Sequence, residues 1–187
     1  MFLHDHHKPE ECLASLAFYY KNKDLINELP IPKLLDFSCD NTSCSFVYEN
    51  IENSSNVADH ISEWNDKDKM EILKGLVNIV STLEKNKIYP RDIRTWNTLY
   101  QKTKNNSSKI YLIDFDLFYD DADKSKMLID FLWLMYELNA LKVSYIVRHQ
   151  DMMLEPKENF GQFSNIAGVI QNKKIKTVLD LKNYLAN

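Results

Sequence analysis

The sequence predicts an α+β protein built around one core, and three observations carry the prediction. Apolar residues recur at helical spacing from Met70 through Leu83. Residues 33–37, 44–49 and 110–114 are instead short apolar or alternating runs of strand length. The chain has 187 residues, 44% of them hydrophobic, which is enough to bury one core and short for two ordinary domains. A single domain over residues 1–187 is expected.

Composition narrows the partners. A net charge of −4 with no run of Lys and Arg argues against a nucleic-acid footprint. No apolar run reaches the roughly 18 residues of a membrane span, and the opening Met-Phe-Leu-His-Asp-His-His lacks the apolar centre of a signal peptide. The expectation is a cytoplasmic protein with three reduced cysteines.

Taken in order, Pro9 with Glu10 and Glu11 reads as a helix start, and Leu13, Leu16, Ala17 and Tyr20 mark one apolar stripe that would pack on a sheet. His4, Asp5, His6 and His7 have no second ligand cluster in the sequence and read as a solvated tail rather than a metal site. Pro30 and Pro32 end the helical pattern, and 33–37 and 44–49 then form a hairpin. Cys39 and Cys44 can face each other across it; two thiols do not make a zinc site, and a disulfide is not expected in the cytoplasm. Residues 53–68 are polar, with Asn65 and Asp68 spaced as a helix N-cap and its partner. The next helix carries Met70, Leu73, Leu76, Val77, Val80 and Leu83 on its core face and ends at 85–87, with lysines at the end that favours cations. Residues 101–108 are a polar turn between two strands. Asp130 lies in the apolar helix 127–141, where an ionised carboxylate needs hydrogen-bond partners. Thr177 with Asp180 caps a last helix to 185.

The chemistry concentrates between Ile88 and Asp116. Asp92 and Asn97 stand five apart between a helix and a strand, and Asp114 comes at the end of an apolar run. Asp and Asn are also common in capped turns, which is the plain alternative. The order of the three, however, resembles the protein-kinase-like phosphotransferases: a catalytic loop of His-Arg-Asp, four residues and Asn, followed by Asp-Phe-Gly. Here Pro90 stands in place of the His and Asp116 in place of the Gly. The second departure resembles bacterial small-molecule and carbohydrate kinases, and Tyr-Pro-Arg-Asp with Trp before the Asn is most similar to the kinase part of O-antigen chain-terminating methyltransferase-kinases.

The resemblance implies a protein-kinase-like fold, with a reduced small lobe over 1–52 made of a helix and a hairpin, and a mostly helical large lobe over 53–187. It implies ATP and Mg²⁺ as cofactors and a small-molecule or carbohydrate hydroxyl as acceptor. Asp92 would be the base, Arg94 a cation on the transferred phosphate, and Asn97 and Asp114 the ligands of magnesium and so of the nucleotide. The strand from Ser45 to Ile51 would lead into the hinge, with the backbone of Glu49 and Ile51 on the adenine; a buried strand is the alternative. Glu10 or Glu11 would be the small-lobe acid, with ordinary first-turn acids as the alternative, and Asp130 would tie down the catalytic-loop backbone. Three parts of the family pattern are missing: the Gly-rich strand pair, since the first glycine is Gly75, the strand Lys, and a long activation segment. Either an upstream segment or a partner chain supplies the missing strands, or the chain is a minimal enzyme, or it is a binding module without turnover.

Overall fold

The structure, a computed structural model, describes residues 9–40, 44–103, 107–114, 124–141 and 152–187, with the backbone alone for 9–12. The chain runs through helices α1 (Pro9–Lys21) and α2 (Lys23–Glu28), a hairpin of β1 (Leu34–Cys39) and β2 (Cys44–Tyr48), and the short β3 (Ser54–Asn56). The long α3 (Asp66–Lys85) leads to β4 (Thr98–Lys102) and β5 (Ser108–Leu112), and α4 (Lys126–Ala140), α5 (Ser164–Gln171) and α6 (Val178–Ala186) complete it. The class is α+β: two small antiparallel sheets, β1–β2 and β3–β4–β5, among helices. Among the described residues no helix is long and apolar enough to cross a membrane.

α3 is the axis of the core. Asn65 accepts from the Asp68 backbone N–H at its start, and Ile72, Leu73, Leu76, Val77, Val80 and Leu83 are buried along it. Its end sets the direction of the segment that follows. Lys87 takes a left-handed backbone (φ 60°), its N–H donating to the Glu84 carbonyl and that of Ile88 to Leu83. This is a Schellman stop, closed by the buried Leu83 and Ile88, and it turns the chain toward Asp92. β5 packs across α3 so closely that a Cβ on Gly75 would lie 2.4 Å from Ile110 Cγ1, which is why glycine stands inside the helix. Glu84 accepts from the N–H groups of Val178 and Leu179, docking the start of α6, and Thr177 and Asp180 form the expected capping box.

Several expectations need correction. On α1 the buried residues are Leu16 and Tyr19, while Leu13 and Tyr20 are half exposed, because Leu16 packs on Cys44 and Phe46 of the hairpin. Tyr19 Oη accepts from the Leu34 N–H, fixing α1 to the foot of β1. Cys39 and Cys44, opposite each other at the last ladder position, are joined as a disulfide rather than held as thiols. β3 lies in the stretch read as merely polar; its Ser-Ser-Asn carries no apolar signal and is held as a strand by pairing with β4. α5 and the 3-10 helix Lys157–Phe163 were not expected; Phe160, Phe163 and Ile166 bury there. The side chains of Glu10 and Glu11, the histidines near the start, and Asp116 with the acidic stretch after it lie outside the described residues.

Candidate functional site

The strand pair β4–β5 brings the separated motif residues together. Thr98 pairs with Leu112, and the Ile113 N–H donates to the Asn97 carbonyl at 2.9 Å, carrying the ladder one step past both strands. Asn97 and Asp114 thereby emerge side by side at the open end of the sheet. Asn97 closes the 3-10 turn Thr95–Asn97, and its Nδ2 donates to the carbonyl of Asp92 at 3.0 Å and to its Oδ2 at 2.8 Å. Trp96 Nε1 donates to the same Oδ2 at 3.0 Å. With Nδ2 turned onto Asp92, the planar amide directs Asn97 Oδ1 the other way.

Both acids sit on unusual backbone. Asp92 and Asp114 have φ of 58° and 59°, a left-handed conformation that Asp tolerates better than most residues and that recurs where side chains are held for function. Burial pushes the Asp92 carboxyl above the ordinary 3.8, and the nearby Asp114 adds to the rise. The Trp96 and Asn97 hydrogen bonds and the charge of Arg94 pull against it. The net rise makes Asp92 a stronger base than a free carboxylate.

A cavity of about 370 Å³ opens in front of these residues. Asn97, Asp114 and Trp96 line it, as do Glu49, Asn50 and Ile51, where the chain leaves β2, with Ile31, Tyr48 and Leu99 as apolar walls. The volume and the mixture of apolar walls with a few polar groups are those of a small-molecule site. Four expected residues, Glu49, Ile51, Asn97 and Asp114, therefore share one cavity, and Asp92 is hydrogen-bonded to Asn97. Hard oxygens from Asp114 and Asn97 fit magnesium, which takes one or two protein ligands and completes its shell with water and phosphate.

Arg94 is placed differently from the expectation. It is buried, with its guanidinium 4.3 Å from the Trp96 ring centre and 4.8 Å from that of Trp133, and it pairs with the fully buried Glu137 through Nη2 and through Nε at 3.2 Å. The guanidinium is thus engaged by a buried carboxylate. The other Glu137 oxygen accepts from Thr95 Oγ1 at 2.9 Å and from its N–H. Glu137, which the sequence did not single out, thus ties the segment around Arg94 and Thr95 to α4. Its signal in the sequence is an acid seven residues after Asp130, on the same face of an apolar helix. Asp130 is buried as well.

No family model matches the chain, and no curated protein matches it in sequence.

Proposed function

We propose that the chain is an ATP-dependent phosphotransferase of protein-kinase-like fold, acting on a small-molecule or carbohydrate hydroxyl. The supporting observation is that one cavity is lined both by Asn97 and Asp114 and by the segment from Glu49 to Ile51, with Asp92 hydrogen-bonded to Asn97. The adenine edge would meet the backbone of Glu49 and Ile51. Asn97 and Asp114 would hold Mg²⁺, which supplies charge compensation on the phosphates. Asp92 would orient the acceptor hydroxyl and take its proton through Oδ1, because Trp96 and Asn97 both occupy Oδ2. Arg94 and Glu137 would hold the loop in the shape this requires.

A second reading, a kinase-like binding module without turnover, is favoured by one observation: Arg94 is committed to Glu137, so the expected cation for the transferred phosphate is engaged elsewhere. Two measurements separate the readings. If nucleotide binds, ATP with Mg²⁺ raises the melting temperature more than either alone, and Asp114→Asn loses most of the shift. Equal shifts in wild type and variant would sink both readings. Single-turnover transfer from labelled ATP to a panel of sugar hydroxyls then tests catalysis, with Asp92→Asn as the control. Without a Gly-rich strand pair and strand Lys over the phosphates, transfer by this chain alone is expected to be slow, since each missing electrostatic group costs on the order of 10²- to 10³-fold. Adding a partner chain that supplies those strands should restore it. Binding that never yields Asp92-dependent transfer under either condition favours the module.

A further inference from the structure

A second concave surface lies on the opposite side of β4–β5, where α3, β5 and α6 meet. It consists of two cavities, of about 440 and 250 Å³, that share Lys74, Asn78 and Lys182. Lys74 and Asn78 are one turn apart on the same face of α3, and Lys182 reaches them from α6. Lys109 of β5 borders the larger cavity, but its ammonium lies 4.8 Å from the Tyr111 ring centre, on the face of the strand away from Ile110. Among the described residues Lys74 and Lys182 have no acidic partner. The acid on the wall, Glu71, already pairs with Lys67 and accepts from Tyr100 Oη. Two lysines with no acidic partner thus border one groove of a chain whose net charge is −4. Beneath them the floor is apolar, formed by Ile79 and Ile110 in the larger cavity and by Val77 and Leu185 in the smaller.

A cationic rim over an apolar trough has one complementary chemistry. We propose that this groove binds an amphiphilic anion, a phosphate or carboxylate carried on a short apolar body. The head would meet Lys74, Lys182 and the Asn78 amide, whose protons all donate, and the tail would lie along the trough. A simple inorganic anion leaves the apolar floor wet, and a neutral amphiphile leaves the lysines facing one another. The groove shares no residue with the cavity of Asn97 and Asp114, so Asp114 is not among its contacts.

The test is calorimetric titration with octyl phosphate below its micelle concentration, alongside inorganic phosphate and octyl glucoside. Saturable binding of octyl phosphate is expected, at least tenfold tighter than either companion. The Lys74→Glu and Lys182→Glu double variant should lose about tenfold or more, and high salt should weaken binding to wild type. Asp114→Asn should bind as wild type does, which keeps this result separate from the fate of the phosphotransferase reading. Both lysines are on the surface, so an unchanged melting temperature certifies the double variant. Equal affinity for octyl phosphate and octyl glucoside, equal affinity for octyl phosphate and inorganic phosphate, or no loss in the double variant overturns the proposal.

Discussion

Asp92 and Glu137 illustrate what single side chains decide in this molecule. The folded state raises the Asp92 pKa above 3.8, so between that value and the folded pKa the native chain holds more proton than the unfolded one. The protonated carboxyl therefore contributes stability at low pH that is lost as the pH rises through the folded pKa. Asp92→Asn cannot titrate there. The stability of wild type relative to Asp92→Asn should fall across that window and stay flat on either side, as urea melts at a series of pH values would show. Glu137 acts through a contact, since it is fully buried and paired with the buried Arg94. Glu137→Ala removes the carboxylate that pairs with the buried Arg94 guanidinium, and breaking a buried pair from one side costs about 3–5 kcal/mol. The urea midpoint should drop accordingly, and a variant as stable as wild type would mean that Arg94 finds another partner. That Asp92, Asn97 and Asp114 belong together was legible in the sequence because their order resembles a known motif, and the structure puts Asn97 and Asp114 on one cavity with Asp92 bonded to Asn97. Glu137 was not, because nothing in an apolar helix says which distant backbone its acid will hold.

At the scale of elements, α3 was the most legible because its propensity, apolar spacing and cap all agree. Its stop was legible only in place. The left-handed residue that ends it is Lys87, where glycine would carry no steric penalty. Lys87→Gly is expected to stabilise the chain by about 0.5–1 kcal/mol, measured by equilibrium denaturation; a loss would mean that the Lys87 side chain packs rather than merely tolerating the turn. β3 shows the limit of local signals. Ser54, Ser55 and Asn56 have no strand preference, and only the edge of β4 makes them one. That pairing matters to the site, since the Asn56 side chain donates to the Trp96 carbonyl at 2.7 Å.

Across the whole molecule, burial is uneven. The main core gathers α3, α4, α5 and α6 with β4 and β5, whereas the hairpin rests on a satellite cluster of Leu16, Cys44 and Phe46. Five of the six residues of β1 are exposed, Leu35 and Phe37 among them. So little buried surface implies that the hairpin opens before the rest. Native-state hydrogen exchange should show β1 and β2 exchanging faster than α3. Reducing the Cys39–Cys44 disulfide should widen the gap, a bridge over so short a loop contributing ~2 kcal/mol in the chain-entropy account. Equal protection of hairpin and α3 would show one cooperative unit. The helix and hairpin of the first part were expected from the proline breaks and alternation. The weakness of their attachment was not, because it depends on which residues of α1 turn inward, and Leu13 and Tyr20 turn out.

The left-handed backbone at Asp92 and Asp114 has a consequence for any screen of this chain. In a saturation library scored for cellular abundance, Gly and Asn should rank high at positions 92 and 114, while Val, Ile and Thr rank low, because the backbone alone selects against β-branching there. Scored for nucleotide retention, the same library should keep Asp and discard Gly. Two orderings that disagree at these positions, yet agree at Leu73 and Leu76, would separate residues kept for chemistry from residues kept for shape without any assay of turnover.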